Sequence, residues 1–290
     1  MKTGFIGLGK MGSVMAPRLA DQATQLRGFD PNWHLPADSS VQPAPSIAAL
    51  ADCEIIFTMV PNGSVVVEII EILLDAGTDA LLVDMSSCHP DTSGQLASLL
   101  AKTGQRVLDA PVSGGVAKAR AGKLMIMTGG DAADFERATP FLAAMGKPVH
   151  IGPAGAGYAM KALNNYVSAA GLVTSFQALA TAKKFGIAPS DFQKVINAST
   201  GRNNTTEVKI DKFVLTEAYN SGFALNLMAK DVSIASDIIT QNGFTLPLTG
   251  DLADYLKEAY QQLGGDPDHT EIYRHLEWLA KGHKTPLALG

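Results

Sequence analysis

"KTGFIGLGKMGSVMAPRLA", residues Lys2–Ala20, is the stretch on which the fold turns. A short apolar run passes through Gly7, Gly9 and Gly12 into a segment able to form a helix. A G-x-G-x-x-G spacing is uninformative by itself. Between a strand and a helix, however, its glycines have distinct tasks: a tight turn, close backbone approach to a pyrophosphate, and close helix–strand packing. The helix start adds N–H donors and a favourable dipole for phosphates. The loop Gly7, Leu8, Gly9, Lys10, Met11 and Gly12 is therefore expected to cradle a dinucleotide.

The surrounding pattern agrees. Apolar runs "KTGFIG", "QLRGFD", "EIIFTMV", "ALLVDMS", "RVLDAPV", "LMIMTGG" and "PVHIG" read as strands, and most are separated by helical stretches such as 63–75, 91–102 and 131–144. This alternation predicts an α/β, Rossmann-type nucleotide-binding domain over residues 1–157, its mostly parallel sheet covered on both faces. After Gly157 the strand signals fade. Helices are expected over 158–185, 189–199, 207–216, 228–242, 247–263 and 267–281, so residues 158–290 read as an all-helical domain opened by a long interdomain helix.

Asp30 ends the second strand, 18 positions after Gly12. A carboxylate there accepts from the ribose hydroxyls and repels a 2′-phosphate, which favours NAD over NADP; an aspartate opening a turn before Pro31 is the plainer reading. Loops at the carboxyl ends of later strands should face the same crevice: Val60, Pro61 and Asn62 in "VPNG", Ser87 in "SSCHP", and Ser113, Gly114 and Gly115 in "DAPVSGG". The last offers a hydroxyl and unobstructed N–H groups suited to a carboxylate, or is a plain glycine turn.

Composition narrows the classes. Of 290 residues, 46% are hydrophobic and 18% charged, enough to bury a large core. The net charge of −5 arises without a basic run, which argues against nucleic acid or a polybasic membrane contact. Two cysteines, Cys53 and Cys88, form no disulfide or zinc pattern, and the six histidines lack companions at metal spacing, so no metal is expected. No signal-like or membrane-spanning apolar run is found, and the expectation is a soluble cytoplasmic protein.

The segment "GAGYAMKALNNYVSAAGLV" holds Lys161, Asn164 and Asn165 in a helix otherwise suited to burial. Lys161 and Asn165, four apart, share a face. They are either a solvated edge or part of a site.

Four segments in order, "FIGLGKMGSVMA", "DAPVSGG", "GAGYAMKALNNY" and "FALNLMAKD", resemble the β-hydroxyacid dehydrogenases, a group that includes 3-hydroxyisobutyrate dehydrogenase and tartronate semialdehyde reductase. The resemblance implies an NAD-dependent oxidoreductase acting on a small β-hydroxy carboxylic acid, as a homodimer or homotetramer. It implies Lys161 as general acid/base, Asn165 as the group holding substrate, Ser113, Gly114 and Gly115 at the substrate carboxylate, and Lys230 lining the site near both substrate and cofactor. Asp231 would position Lys230. A free lysine titrates near about 10.4, so burial or a cation such as Lys230 would have to lower it for base catalysis. The sequence departs from the pattern at Arg18, at Cys88, and at Lys118 and Arg120, which either recognise a second polar group or are solvated. A semialdehyde reductase and a threonate-type dehydrogenase fit the same residues, and a non-enzymatic cofactor-binding module is the more distant alternative. Selectivity is expected from Ser113–Arg120, Gly201–Glu207, Phe223 and Asp266–His269, where Asn203 to Thr206 either suit a hydroxylated substrate or form a polar loop.

Overall fold

The seven apolar runs of the first half form strands, "RVLDAPV" giving two, and one strand, β3, arises outside them: β1 (Lys2–Ile6), β2 (Gln25–Phe29), β3 (Gln42–Pro43), β4 (Ile55–Thr58), β5 (Leu81–Asp84), β6 (Val107–Asp109), β7 (Val112–Ser113), β8 (Leu124–Gly129) and β9 (Gly146–Gly152). The computed structural model describes residues 1–32, 36, 39–101 and 103–282. It divides into two units, Met1–Lys161 and Ala162–Gly290.

In the first unit the strands order as β3-β2-β1-β4-β5-β6-β8-β7, with β9 on the other edge of β8. β1 to β6 are parallel throughout. Their order reverses between β1 and β4, which places a ligand crevice outside the carboxyl ends of those strands. The helices beside them are α1 (Gly12–Met15), continued by a 3-10 turn Ala16–Leu19, then α2 (Gly63–Asp75), α3 (Asp91–Leu100), α4 (Gly115–Arg120) and α5 (Ala132–Met145). Strand residues alternate between two cores: Phe5, Ile55, Phe57, Leu81 and Val83 in one, Ile6, Ile56 and Leu82 in the other. Both faces are covered, which is why these strands read as unbroken apolar runs.

The sheet is mixed rather than uniformly parallel at one end, where β8 runs antiparallel to β6 and β7. Only the ten residues 114–123 join β7 to β8, too few for a parallel crossover. β3 has no sequence signature, being two exposed residues long.

The second unit is helical. α6 (Ala156–Lys184) begins in the first unit and continues into the second. It is followed by α7 (Pro189–Asn197), a π-helix Thr205–Val214, α8 (Leu225–Gln241), α9 (Pro247–Leu263) and α10 (Ile272–Leu279). Leu172, Phe176, Val232, Leu256 and Tyr273 form its core. Two expected α-helices differ in detail: the segment near 207–216 has i→i+5 bonding, as from Leu215 N–H to the Ile210 carbonyl, and a 3-10 turn His269–Glu271 precedes α10. No helix among the described residues is long and apolar enough to cross a membrane.

Candidate active site

The glycine loop after β1 has the geometry its spacing implies. Gly7 has φ of 90°, and a Cβ there would lie 2.2 Å from the Met59 carbonyl oxygen; one on Gly12 would lie 1.8 Å from the Gly7 carbonyl oxygen. The protein's own backbone thus requires both glycines. Gly9 differs, since a Cβ on it would meet no protein atom within 4 Å. Its lack of a side chain leaves an open backbone face, as a pyrophosphate needs. Lys10 is exposed and Met11 half-buried beside that face, while Leu8 turns its side chain into the core.

Asp30 closes the loop from β2. One carboxylate oxygen accepts the Leu8 N–H at 2.7 Å and the other the Asn32 N–H at 2.8 Å. Arg27 is directed away, its guanidinium held by Asp52, Cys53 Sγ and the Ala49 carbonyl. The loop residues after β4 are partly committed within the fold. The Val60 N–H donates to Ser86 Oγ at 2.9 Å, Pro61 is exposed, and Asn62 caps α2 by accepting the Val65 N–H at 3.1 Å. Ser87 follows β5 and is half-buried.

Ser113 ends β7, half-buried opposite Met125. Gly114 and Gly115 follow with φ of 138° and 67° and open α4. Lys118 and Arg120 lie exposed on α4.

Lys161 and Asn165 sit one turn apart on α6, 9% and 7% exposed, so neither belongs to a solvated edge. Asn165 Nδ2 donates to Asp231 Oδ2 at 2.6 Å, and its Oδ1 accepts from Asn164 Nδ2 at 3.1 Å. A carboxylate only accepts, so Asp231 fixes which way the Asn165 amide faces. Lys230, on α8, lies 3.5 Å from Asp231 Oδ1. Sequence spacing revealed neither this triplet nor two buried aspartates. Asp84 accepts from Thr58, Ser86 and the Tyr158 hydroxyl; Asp109 accepts from the backbone at the start of α6. Burial raises both carboxyls, Asp109 to about 6. Among the described residues no group of three or more His, Cys, Asp or Glu is placed to hold a metal ion.

Known proteins resemble this chain in sequence and in fold. Residues 2–155 match the family model for the NAD binding domain of 6-phosphogluconate dehydrogenase, and residues 155–276 that for the NAD-binding region of NADP-dependent 3-hydroxyisobutyrate dehydrogenase. The chain is 34% identical to 2-(hydroxymethyl)glutarate dehydrogenase of Eubacterium barkeri, covering 96% of each. It is 35% identical to 3-sulfolactaldehyde reductase of Escherichia coli, over 84% of this chain and 85% of that one. The solved structure of Mycobacterium tuberculosis 3-hydroxyisobutyrate dehydrogenase with L-serine superposes with a TM-score of 0.85 at 31% identity, covering 95% of this chain and 98% of that one.

Proposed function

The chain belongs to the β-hydroxyacid dehydrogenase family, and from that membership we propose that it oxidises a small 3-hydroxyisobutyrate-like acid with NAD, using Lys161 as general acid/base. It is an NAD(P)-dependent oxidoreductase of CH–OH groups. The observation that carries the finer reading is the buried pair Lys161 and Asn165 on one face of α6, with the Asn165 amide fixed by Asp231.

The Gly9 backbone face and Asp30 suit the pyrophosphate and adenosine ribose, with the rest of the loop Gly7–Gly12, Val60, Pro61, Asn62 and Ser87 around the cofactor. When bound, nicotinamide supplies the hydride acceptor. Ser113 and the N–H groups of Gly114 and Gly115 hold the substrate carboxylate. Lys161 takes the proton from the β-hydroxyl during oxidation and returns it during reduction. Asn165 holds that oxygen, and Lys230 keeps the substrate-binding role that the family resemblance implies. L-serine, in the tuberculosis structure, is itself a β-hydroxy carboxylate. Aldehyde reduction uses the same residues in reverse, and the relative that is a sulfolactaldehyde reductase favours it as a second reading. Asp30 supports NAD over NADP, because its carboxylate repels a 2′-phosphate.

The family resemblance supports a homodimer or homotetramer, which light scattering checks. Cys53 and Cys88, which are not joined in a disulfide, suit a reducing cytoplasm.

The test is NAD⁺ reduction, with NADP⁺ in parallel, against 3-hydroxyisobutyrate, 3-hydroxypropionate, glycerate, serine, threonate and 4-hydroxybutyrate. Turnover on one of these is expected with NAD⁺ preferred, and Lys161→Ala should lower kcat by roughly 10²–10⁴-fold. Absence of turnover in either direction, with the matching semialdehydes also tried, overturns the reading.

A further inference from the structure

α6 carries Lys161, yet the residues leading into it, "IGPAGAG" at 151–157, contain no Ser, Thr, Asp or Asn. A helix start leaves N–H groups without intrahelical partners, and these side chains are the usual local caps. Here the acceptor comes from another element. Asp109, at the end of β6, accepts the Gly155 N–H on Oδ1 at 2.7 Å and the Tyr158 N–H on Oδ2 at 3.0 Å. The Gly157 N–H also donates to it. The carboxylate is 3% exposed, and backbone closes tightly around it: a Cβ on Gly157 would lie 2.6 Å from Oδ2, and one on Gly129 2.8 Å from the same atom. Charge-assisted bonds of this kind are about twice as strong as neutral ones.

Asp84 is the direct neighbour of Asp109 across the β5–β6 register. Its Oδ2 accepts the Tyr158 hydroxyl at 2.5 Å, while its Oδ1 accepts from Thr58 Oγ1 and Ser86 Oγ at 2.5 and 2.7 Å. Tyr158 is therefore gripped at both ends, by its backbone N–H and by its phenol. It is 1% exposed and stands three residues, just under one helical turn, before Lys161.

We propose that Asp84 and Asp109 act as positioning residues for Lys161, clamping Tyr158 so that the first turn of α6 holds the amine in a fixed place relative to Ser113, Gly114 and Gly115. The link is short on both sides. Asp109 lies four residues before Ser113 in the same segment, so one side chain ties the carboxylate-binding turn to the helix bearing the acid/base. A displacement of about 1 Å at a reacting group can cost about 10²-fold in rate, which gives such a clamp a kinetic consequence separate from stability. The proposal rests on the reading of Lys161 as the acid/base.

The test compares Tyr158→Phe, which cuts only the tie to Asp84, with Asp109→Asn, in the full chain and with the best substrate of the panel above. Both are expected to lower kcat about tenfold or more while leaving the KM for NAD⁺ within about twofold. In a Lys161→Ala background, with turnover restored by added ethylamine, neither should lower the rescued rate further, because the acid/base is then no longer held by the helix. Amide exchange at Gly155–Tyr158 should quicken about tenfold in each variant. Equal losses with and without Lys161 overturn the proposal in favour of a general structural role. Unchanged amide exchange in Tyr158→Phe overturns it even if the wild-type protein turns over nothing, an outcome that would count separately against the functional reading.

Discussion

At the scale of single residues, the site depends on partners that restrict otherwise ambiguous groups. An asparagine amide presents a donor at one end and an acceptor at the other. Asp231, 3% exposed, accepts from one end of Asn165, and Asn164 donates to the other. One N–H and one lone pair remain for substrate. Asp231→Asn replaces an obligate acceptor with a group that can donate, and it strips Lys230 of its counter-charge. A lost bond of this kind costs about 1–3 kcal/mol. The expected result is a kcat lower by roughly 10- to 100-fold with a raised substrate KM and unaltered NAD⁺ affinity, read from steady-state kinetics. Unchanged kinetics would show that Asn165 needs no orienting partner. The family resemblance implies Asp231 as a partner of Lys230; its second contact, to a residue 66 positions away, has no local signature.

Elements show why polar residues mislead. By sequence, Asn203 to Thr206 suit either a hydroxylated substrate or a polar loop. In the structure Asn203 Oδ1 accepts the Thr205 and Thr206 N–H groups at 2.8 and 3.3 Å, and its Nδ2 donates to Ser175 Oγ at 2.9 Å. Thr205 and Thr206 are buried. The group caps the π-helix Thr205–Val214 and ties it to α6. Asn203→Ala should destabilise the protein by about 1–2 kcal/mol, seen in thermal or denaturant unfolding, with the substrate KM unchanged. A raised KM at unchanged stability would return these residues to the substrate. The helices themselves were legible from apolar periodicity: α2 and α9 occupy the expected residues. The i→i+5 bonding at 205–214 was not, because it leaves the pattern of apolar positions almost unaltered.

For the whole molecule, the two units carry buried titratable groups of opposite sense. His269 in the helical unit is 2% exposed, packed edge-on against Phe223 and bonded to the Phe223 carbonyl, with Asp268 and Ser221 beside it. Burial, reinforced by the charge of Lys209 and opposed by Asp268, brings it down to about 4. Protonation therefore favours the unfolded chain. The contribution of His269 to stability is complete above about 6.5 and drains away as pH falls toward 4. Asp109 in the first unit, raised by burial from 3.8 to about 6, acts oppositely: its contribution is complete below 3.8 and is lost as pH rises through 6. Lowering pH from 7 to 5 should thus quicken amide exchange around 266–279 relative to segments beside Asp109. His269→Gln should remove the quickening around 266–279. Equal acid response of the two regions in the wild-type protein would contradict the assignment.

The sequence by itself determined the nucleotide-binding architecture, the helical second half and the residues to suspect. Those properties are written in local periodicity, in glycine spacing and in the short segments shared with the family. Gly9 is the clearest case, a glycine that no neighbouring protein atom demands. Tertiary structure alone decided which polar groups act together. It made Asp109 the cap of a helix that begins 47 residues later, aligned Asp84 beside it through strand register, and turned Asp231 toward Asn165. A buried hydrogen bond takes its partner from whatever the packed chain brings within about 3 Å, and chain separation leaves no trace of that in either residue's neighbours.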